Sequence, residues 1–178
     1  MHSSAKNINI INVKITHKTA RVPLMEAIAF KDTRSALKAI RSMENVDECV
    51  LLQTCNRIEL YIVSEKGEKV AKRAKDFLAK RAGTLAEEAS KAIECSWNGD
   101  SLRHILRLTS GLESMVIGED QVLNQVWDAY LEAESAKTAG IVLKHLFMRA
   151  MSVGRRVRKE TGINKGAVSI GSAAVELA

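Results

Sequence analysis

The apolar positions along the chain follow two different periods. Ile11, Val13 and Ile15 alternate with polar neighbours in a β-branched stretch from Ile8 to Ile15, which predicts a first strand. Pro23 opens a helix over Leu24 to Phe30. A second helix starts with Asp32 or Thr33 as cap and carries Ala36, Leu37 and Ile40 at helical spacing to about Met43. Cys49 to Gln53 is a short apolar run, and Ile58, Leu60 and Ile62 alternate on the strand after it. Thr54 to Arg57 is left between them as a tight hairpin turn with Cys55 at its tip. Val70, Ala74, Phe77 and Leu78 share one face of a helix from Lys69 to Arg81, and Ala92 to Trp97 reads as a fourth strand.

From Asp100 the period becomes 3.6. Leu102, Ile105 and Leu106 form one apolar stripe, and Val122, Val126, Ala129, Tyr130 and Ala133 a second. Leu143, Leu146, Phe147, Ala150, Val153 and Val157 form a third. Gly111, Gly118 and the stretch from Thr138 to Gly140 separate them. The small apolar segment from Ala167 to Ala178 has the composition to begin another helix. The strand and helix order predicts an α+β fold with a ferredoxin-like β-α-β-β-α-β core over residues 1–99. A helical part over 100–160 completes the site, and 161–178 is a connection.

Composition narrows the class. Of 178 residues, 46% are hydrophobic and 27% charged, which suits a globular domain and not a disordered or fibrous one. Aromatic residues are few, so aliphatic and alanine packing must fill the core. No apolar run approaches the ~18 residues of a membrane span and no signal-type segment opens the chain, so no membrane association and a cytoplasmic location are expected. Three cysteines without C-x-x-C spacing predict reduced thiols, no disulfide framework and no metal site. The net charge of +6 favours a polyanionic partner without saying which.

Four features could carry chemistry. Cys55, in a turn with Arg57 two residues on, is a reachable thiol near a positive charge, and a lowered pKa would make it a nucleophile. An inert small hydrophobe is the alternative, and it is the better reading for Cys49 and Cys95 within strands. His104 falls off its helix's apolar stripe and shares a face with Arg107 and Gly111, either as a solvated surface residue or as a functional one. His17, at the end of the first strand, has no assignable role. His145, Arg149, Ser152, Arg156 and Lys159 recur on one helical face, with Arg155 and Arg158 beside them. That face is either the solvated side of an amphipathic helix or a surface that neutralises phosphates. Finally, Glu119, Asp120, Gln121, Asn124 and Gln125 gather at a helix start after Gly118, where Asp can cap, with Ser114 across the break.

Several stretches resemble the glutamyl-tRNA reductase family. They are Thr16 to Ala20; Thr54-Cys55-Asn56-Arg57-Ile58-Glu59-Leu60-Tyr61; His104 through Gln125, with Ser110 to Glu119 inside it; and Ala167 to Ala178. The resemblance implies that the Cys55 thiolate attacks the aminoacyl ester of glutamyl-tRNA, and that the thioester awaits reduction by NADPH to glutamate-1-semialdehyde, the first step of tetrapyrrole synthesis. It also implies substrate-binding roles for Thr54, Asn56, Arg57, Ser114, Glu119, Asp120, Gln121 and Gln125, with His104 supporting activity. Arg57 is then the partner of a substrate carboxylate.

Asp120, Asn124 and Arg21 depart from the family's usual Pro, Gly and Pro. Family members continue into a Rossmann NADPH domain and a helical dimerisation domain. Neither the G-x-G-x-x-G fingerprint nor the length for them is in this sequence. The resemblance therefore implies NADPH binding and homodimerisation only through such missing domains, and the downstream semialdehyde aminotransferase as a further partner. The competing reading is a non-catalytic module that binds tRNA or a partner protein.

Overall fold

A computed structural model describes residues 7–165, so the expected connection lies outside the described residues from 166 onward. Four strands form one sheet: β1 (Asn9–Thr16), β2 (Glu48–Thr54), β3 (Arg57–Ser64) and β4 (Glu94–Trp97). Their order is β2-β3-β1-β4 and every neighbouring pair is antiparallel, which is the ferredoxin-like arrangement. Between and after the strands run α1 (Val22–Ile28), α2 (Thr33–Arg41), α3 (Gly67–Arg81), α4 (Ala86–Ala92), α5 (Asn98–Thr109), α6 (Gln121–Ser135) and α7 (Ile141–Thr161).

Local chemistry sets several boundaries. Pro23 sits in the first turn of α1, where its missing N–H costs nothing. Asp32 caps α2 by accepting from the Ser35 amide at 3.1 Å. α7 stops at Gly162, which takes the left-handed conformation. α4 was not expected, and it displaces the start of β4 from Ala92 to Glu94. With only Ala89 buried, this seven-residue helix leaves no stripe in the sequence.

Both faces of the sheet are covered. The register pairs Ile11 with Ile62, Val13 with Leu60 and Ile15 with Ile58, so these residues share one face. Asn12, Lys14 and Thr16 pair with Tyr61, Glu59 and Arg57 on the other. The second face meets the late helices: Tyr61 packs edge-on against Phe147 of α7, with ring centroids 5.3 Å apart. All eight residues of β3 are therefore buried. A single buried apolar cluster joins α1 to α4, the sheet and α5 to α7.

The stripe on α7 also turns further than expected. Val153 and Val157 are half-buried, while Met151, Gly154 and Arg158 are buried. A Cβ at Gly154 would lie 2.5 Å from the Thr109 carbonyl oxygen, so only glycine allows α7 this close to the end of α5. At its other end α7 is anchored by β2. The buried Glu48 carboxylate accepts from the Val142 and Leu143 amides at 3.0 and 2.7 Å, placing negative charge at the positive end of the helix dipole. Glu48→Ala should therefore lower stability by about 1–3 kcal/mol, read as a lower urea midpoint, because it orphans two amides at once.

Candidate active site

Cys55 and Asn56 form the two-residue turn between β2 and β3, as the sequence pattern predicts. Neither has positive φ, so the turn is not of the I′ type and other contacts hold it. Thr54 Oγ1 accepts from the Asn56 amide at 3.1 Å, and the Asn56 carbonyl accepts from the His17 amide at 2.9 Å, which ties the turn to the end of β1. Cys55 is exposed and makes none of the hydrogen bonds or ion pairs found among the described residues. It lines a cleft of about 310 Å³ with Val22, Met25, Glu26, Gln53, Thr54 and Ile58. The other thiols differ. Cys49 is buried, and burial pushes its thiol up to about 12; half-buried Cys95 is also raised by burial.

Arg57 does not turn toward the thiol. Residues two apart on a strand share a face, so its guanidinium meets Glu59, with Nη1 donating to Oε1 at 2.9 Å, and Nη2 donates to the Glu113 carbonyl. The expected cation beside Cys55 is thus engaged elsewhere, and Arg57 is only 3% exposed. Glu59 itself has no exposure and is surrounded by donors. Tyr61 Oη donates at 2.8 Å, Asn12 Nδ2 at 3.3 Å, and His104 Nε2 lies 2.9 Å from Oε2. Burial alone would raise this carboxyl; the charge and hydrogen bond of His104, then those of Arg57, outweigh it and hold the group at about 2.

This network explains where His104 points. The solvated alternative is incorrect: α5 turns His104 inward, to a side-chain exposure of 12%, and leaves Leu102 40% exposed. Ser101, Ile105, Leu108 and Thr109 form the buried face instead of the expected Leu102 stripe. His104, Arg57, Lys18 and Glu113 line a second cleft of about 240 Å³. Burial raises the Glu113 carboxyl, but bonds from Lys18 Nζ and Arg107 Nε outweigh that and hold it below the ordinary value.

The loop from Ser110 to Asp120 carries the remaining candidates. Gly111 and Gly118 both take positive φ, and the Gly118 amide donates to the Gly111 carbonyl at 3.0 Å, closing the loop. Ser114 is buried and its Oγ has no partner; Asn12 Oδ1 and His17 Nδ1 are buried and unpartnered too. Asp120 stands at the α6 N-cap position, yet its side chain makes no capping bond. Its carboxylate instead accepts from Arg158 Nε at 2.8 Å. Arg158 also donates to the carbonyls of Thr109, Gly154 and Glu119, so one buried guanidinium from α7 holds the loop to the end of α5. Gln121 is exposed. Gln125 lines a third cleft, of about 330 Å³, that shares Gln53 with the cleft of Cys55.

The structure thus groups Arg57 with His104, Thr54 with Cys55, and Glu119 with Asp120, while Cys55 and His104 line separate clefts. Sequence reasoning missed Glu59, Asn12, Tyr61 and Glu113. The available signal was the period-two row Arg57, Glu59, Tyr61, three polar groups on one face of a strand.

Fold and site define an α+β domain that presents an exposed thiol at a hairpin tip beside a buried ion-pair network. The family model for the N-terminal domain of glutamyl-tRNAGlu reductase matches residues 13–161, and the chain belongs to that family. Glutamyl-tRNA reductases of Methanothrix thermoacetophila and Methanococcoides burtonii are 46% and 48% identical over 95% of this chain, which covers 39% and 38% of their lengths. The structure of glutamyl-tRNA reductase from Methanopyrus kandleri superposes with a TM-score of 0.76 at 38% identity, over 94% of this chain and 39% of that one. The chain therefore spans about two fifths of the relatives it matches.

The Glu59 network has a pH signature. Its carboxyl sits below the ordinary 4.5, so its ionisation contributes stability that is complete above pH 4.5 and is lost as pH falls through about 2. Glu59→Gln should remove that component, flattening the urea midpoint over this acid window, and should cost roughly 3–5 kcal/mol at neutral pH, as expected for a broken buried ion pair.

Proposed function

We propose that this chain is the acyl-accepting part of a glutamyl-tRNA reductase, with Cys55 as nucleophile. The observation that carries the reading is an exposed thiol without hydrogen bonds on a turn pinned by Thr54 and His17, in a chain of this family. The Cys55 thiolate attacks the carbonyl carbon of the glutamyl ester. An S–C bond forms and the C–O bond to the terminal ribose breaks. The electron pair goes to the ribose oxygen, which takes a proton and leaves with the tRNA. Glutamate stays on the protein as a thioester, activated for the addition of hydride.

Other residues fit supporting roles. His104 has Nε2 committed to Glu59, which leaves its other ring nitrogen, Nδ1, free for a proton or a ligand at its cleft. Arg57 has more N–H groups than its two bonds use and faces the same cleft as Lys18, a setting for a carboxylate. Ser114, with a buried and unpartnered hydroxyl, is a polar contact awaiting a ligand. Glu119 and Asp120 serve the site through Arg158, and Thr54 and Asn56 through the turn.

NADPH, implied by the family, would supply the hydride to that thioester, and the sequence contains no G-x-G-x-x-G phosphate loop to hold it. The reading for these residues therefore ends at the thioester, and in the absence of other domains the chain should hydrolyse glutamyl-tRNA slowly without producing aldehyde.

Mass spectrometry of the chain after incubation with glutamyl-tRNA should find the Cys55 peptide carrying a hydroxylamine-labile glutamyl group. Cys55→Ser should lose that adduct and glutamate release while binding tRNA within about twofold. Undiminished release by the serine variant would overturn the nucleophile and favour a tRNA-binding module.

A further inference from the structure

We infer that the outward face of α7 is the surface on which the phosphate backbone of the RNA substrate lies. The inference rests on the reading of this chain as acting on an aminoacyl-tRNA, and it assigns the contact surface which that reading leaves open.

α7 carries six Lys or Arg side chains against one acidic residue, Glu160, and so holds most of the chain's net charge of +6. The structure sorts these cations. Arg158 points inward to the Ser110–Asp120 loop, Arg156 pairs with Glu160 at 3.3 Å, and Lys144 approaches Glu134 at 3.9 Å. Arg149, Arg155 and Lys159 remain exposed, and none is paired with a carboxylate among the described residues. From Arg149 to Lys159 the helix rises about 15 Å, so these cations form a short track and not a point.

The track leads to the site. Through Arg158 its C-terminal end is bonded to the loop that holds Ser114, and that loop is bonded through Glu113 to Arg57 and Lys18. Toward the other end, His145 and Arg149 border a wide groove floored by Ile10, Val142 and Met148, where sugar and base edges could rest beside neutralised phosphates. Arg149 and Lys159 lie near one face, with Arg156 between them and Arg155 on its flank, and such a run of like charges matches a polyanion better than the mixed charges of a protein surface.

α3 provides an internal comparison. It has equally many Lys and Arg residues, but Glu68 and Asp76 interrupt them, Arg73 pairs with Glu44, and Arg81 is bonded to the carbonyls of Ile28 and Ala29 and lies over the Phe30 ring. Charge alone would let either helix attract RNA. Only α7 is continuous with the loop of the candidate site.

The test measures binding of uncharged tRNAGlu against salt for two variants of equal charge loss: Arg149→Gln, Arg155→Gln and Lys159→Gln combined, and Lys69→Gln, Lys72→Gln and Lys80→Gln combined. The α7 variant should bind at least about tenfold more weakly at low salt, with a log–log salt slope shallower by about two to three units, and Arg149→Gln alone should reduce the slope by about one. The α3 variant should keep the wild-type slope and bind within about twofold. Equal losses in both variants, an unchanged α7 variant, or loss of affinity only for an acidic protein partner would each overturn the proposal. Acylation of Cys55 by a small activated glutamyl ester should be unaffected by the α7 changes. If Cys55 is not the nucleophile, that adduct is missing from the wild type as well, whereas the difference in salt slopes does not involve the thiol.

Discussion

A carboxylate without solvent exposure is tolerable only if donors meet it from several sides, because an unpaired charge in a protein interior costs several kcal/mol. Glu59 imposes that requirement on the second face of the sheet. Asn12 answers from β1, Arg57 and Tyr61 from β3, and His104 from α5. The rotation of α5 follows: with His104 turned to the sheet, Leu102 is carried out to solvent. The loop after α5 follows too, since Arg57 holds the Glu113 backbone with the hand that Glu59 leaves free. A single buried charge thereby relates two strands, a helix and a loop, and does so with directional bonds that apolar packing could not provide.

The parts of the fold that were legible in the sequence are those where apolar burial alone decides. β1, β3 and the hairpin could be read because Ile11, Val13, Ile15, Ile58, Leu60 and Ile62 pack one face, and α6 because Val122, Val126, Tyr130 and Ala133 are its inner row. The facing of α5 and the far end of α7 could not, because there polar side chains go inward. His104 and Arg158 displace apolar residues from the positions that amphipathic periodicity assigns them. The exposed place of Cys55 was legible and its neighbouring cation was not. The same alternation that located the strand sets Arg57 and Glu59 side by side, and that pairing draws the guanidinium away from the turn.

The two clefts flank the β2–β3 turn and differ in character. One, beside the sulfur, is mostly apolar and opens along α1; the other, beside His104, is lined by Lys14, Lys18, Arg57 and Glu113. An acyl group with an apolar stem and a terminal carboxylate has counterparts in both. Their separation across a turn this short means that the turn's own backbone, fixed by Thr54 and the His17 amide, sets the geometry between thiol and charge.

The close approach of Ile163 to Gly118 extends this architecture beyond the end of α7. The Ile163 carbonyl occupies the space that a side chain at position 118 would need, so the strand of backbone leaving α7 rests on the loop holding Glu119. Any tug on that departing backbone meets the loop of Gly118 directly. Glycine's lack of a side chain here thus makes the exit of one helix a mechanical neighbour of the candidate site.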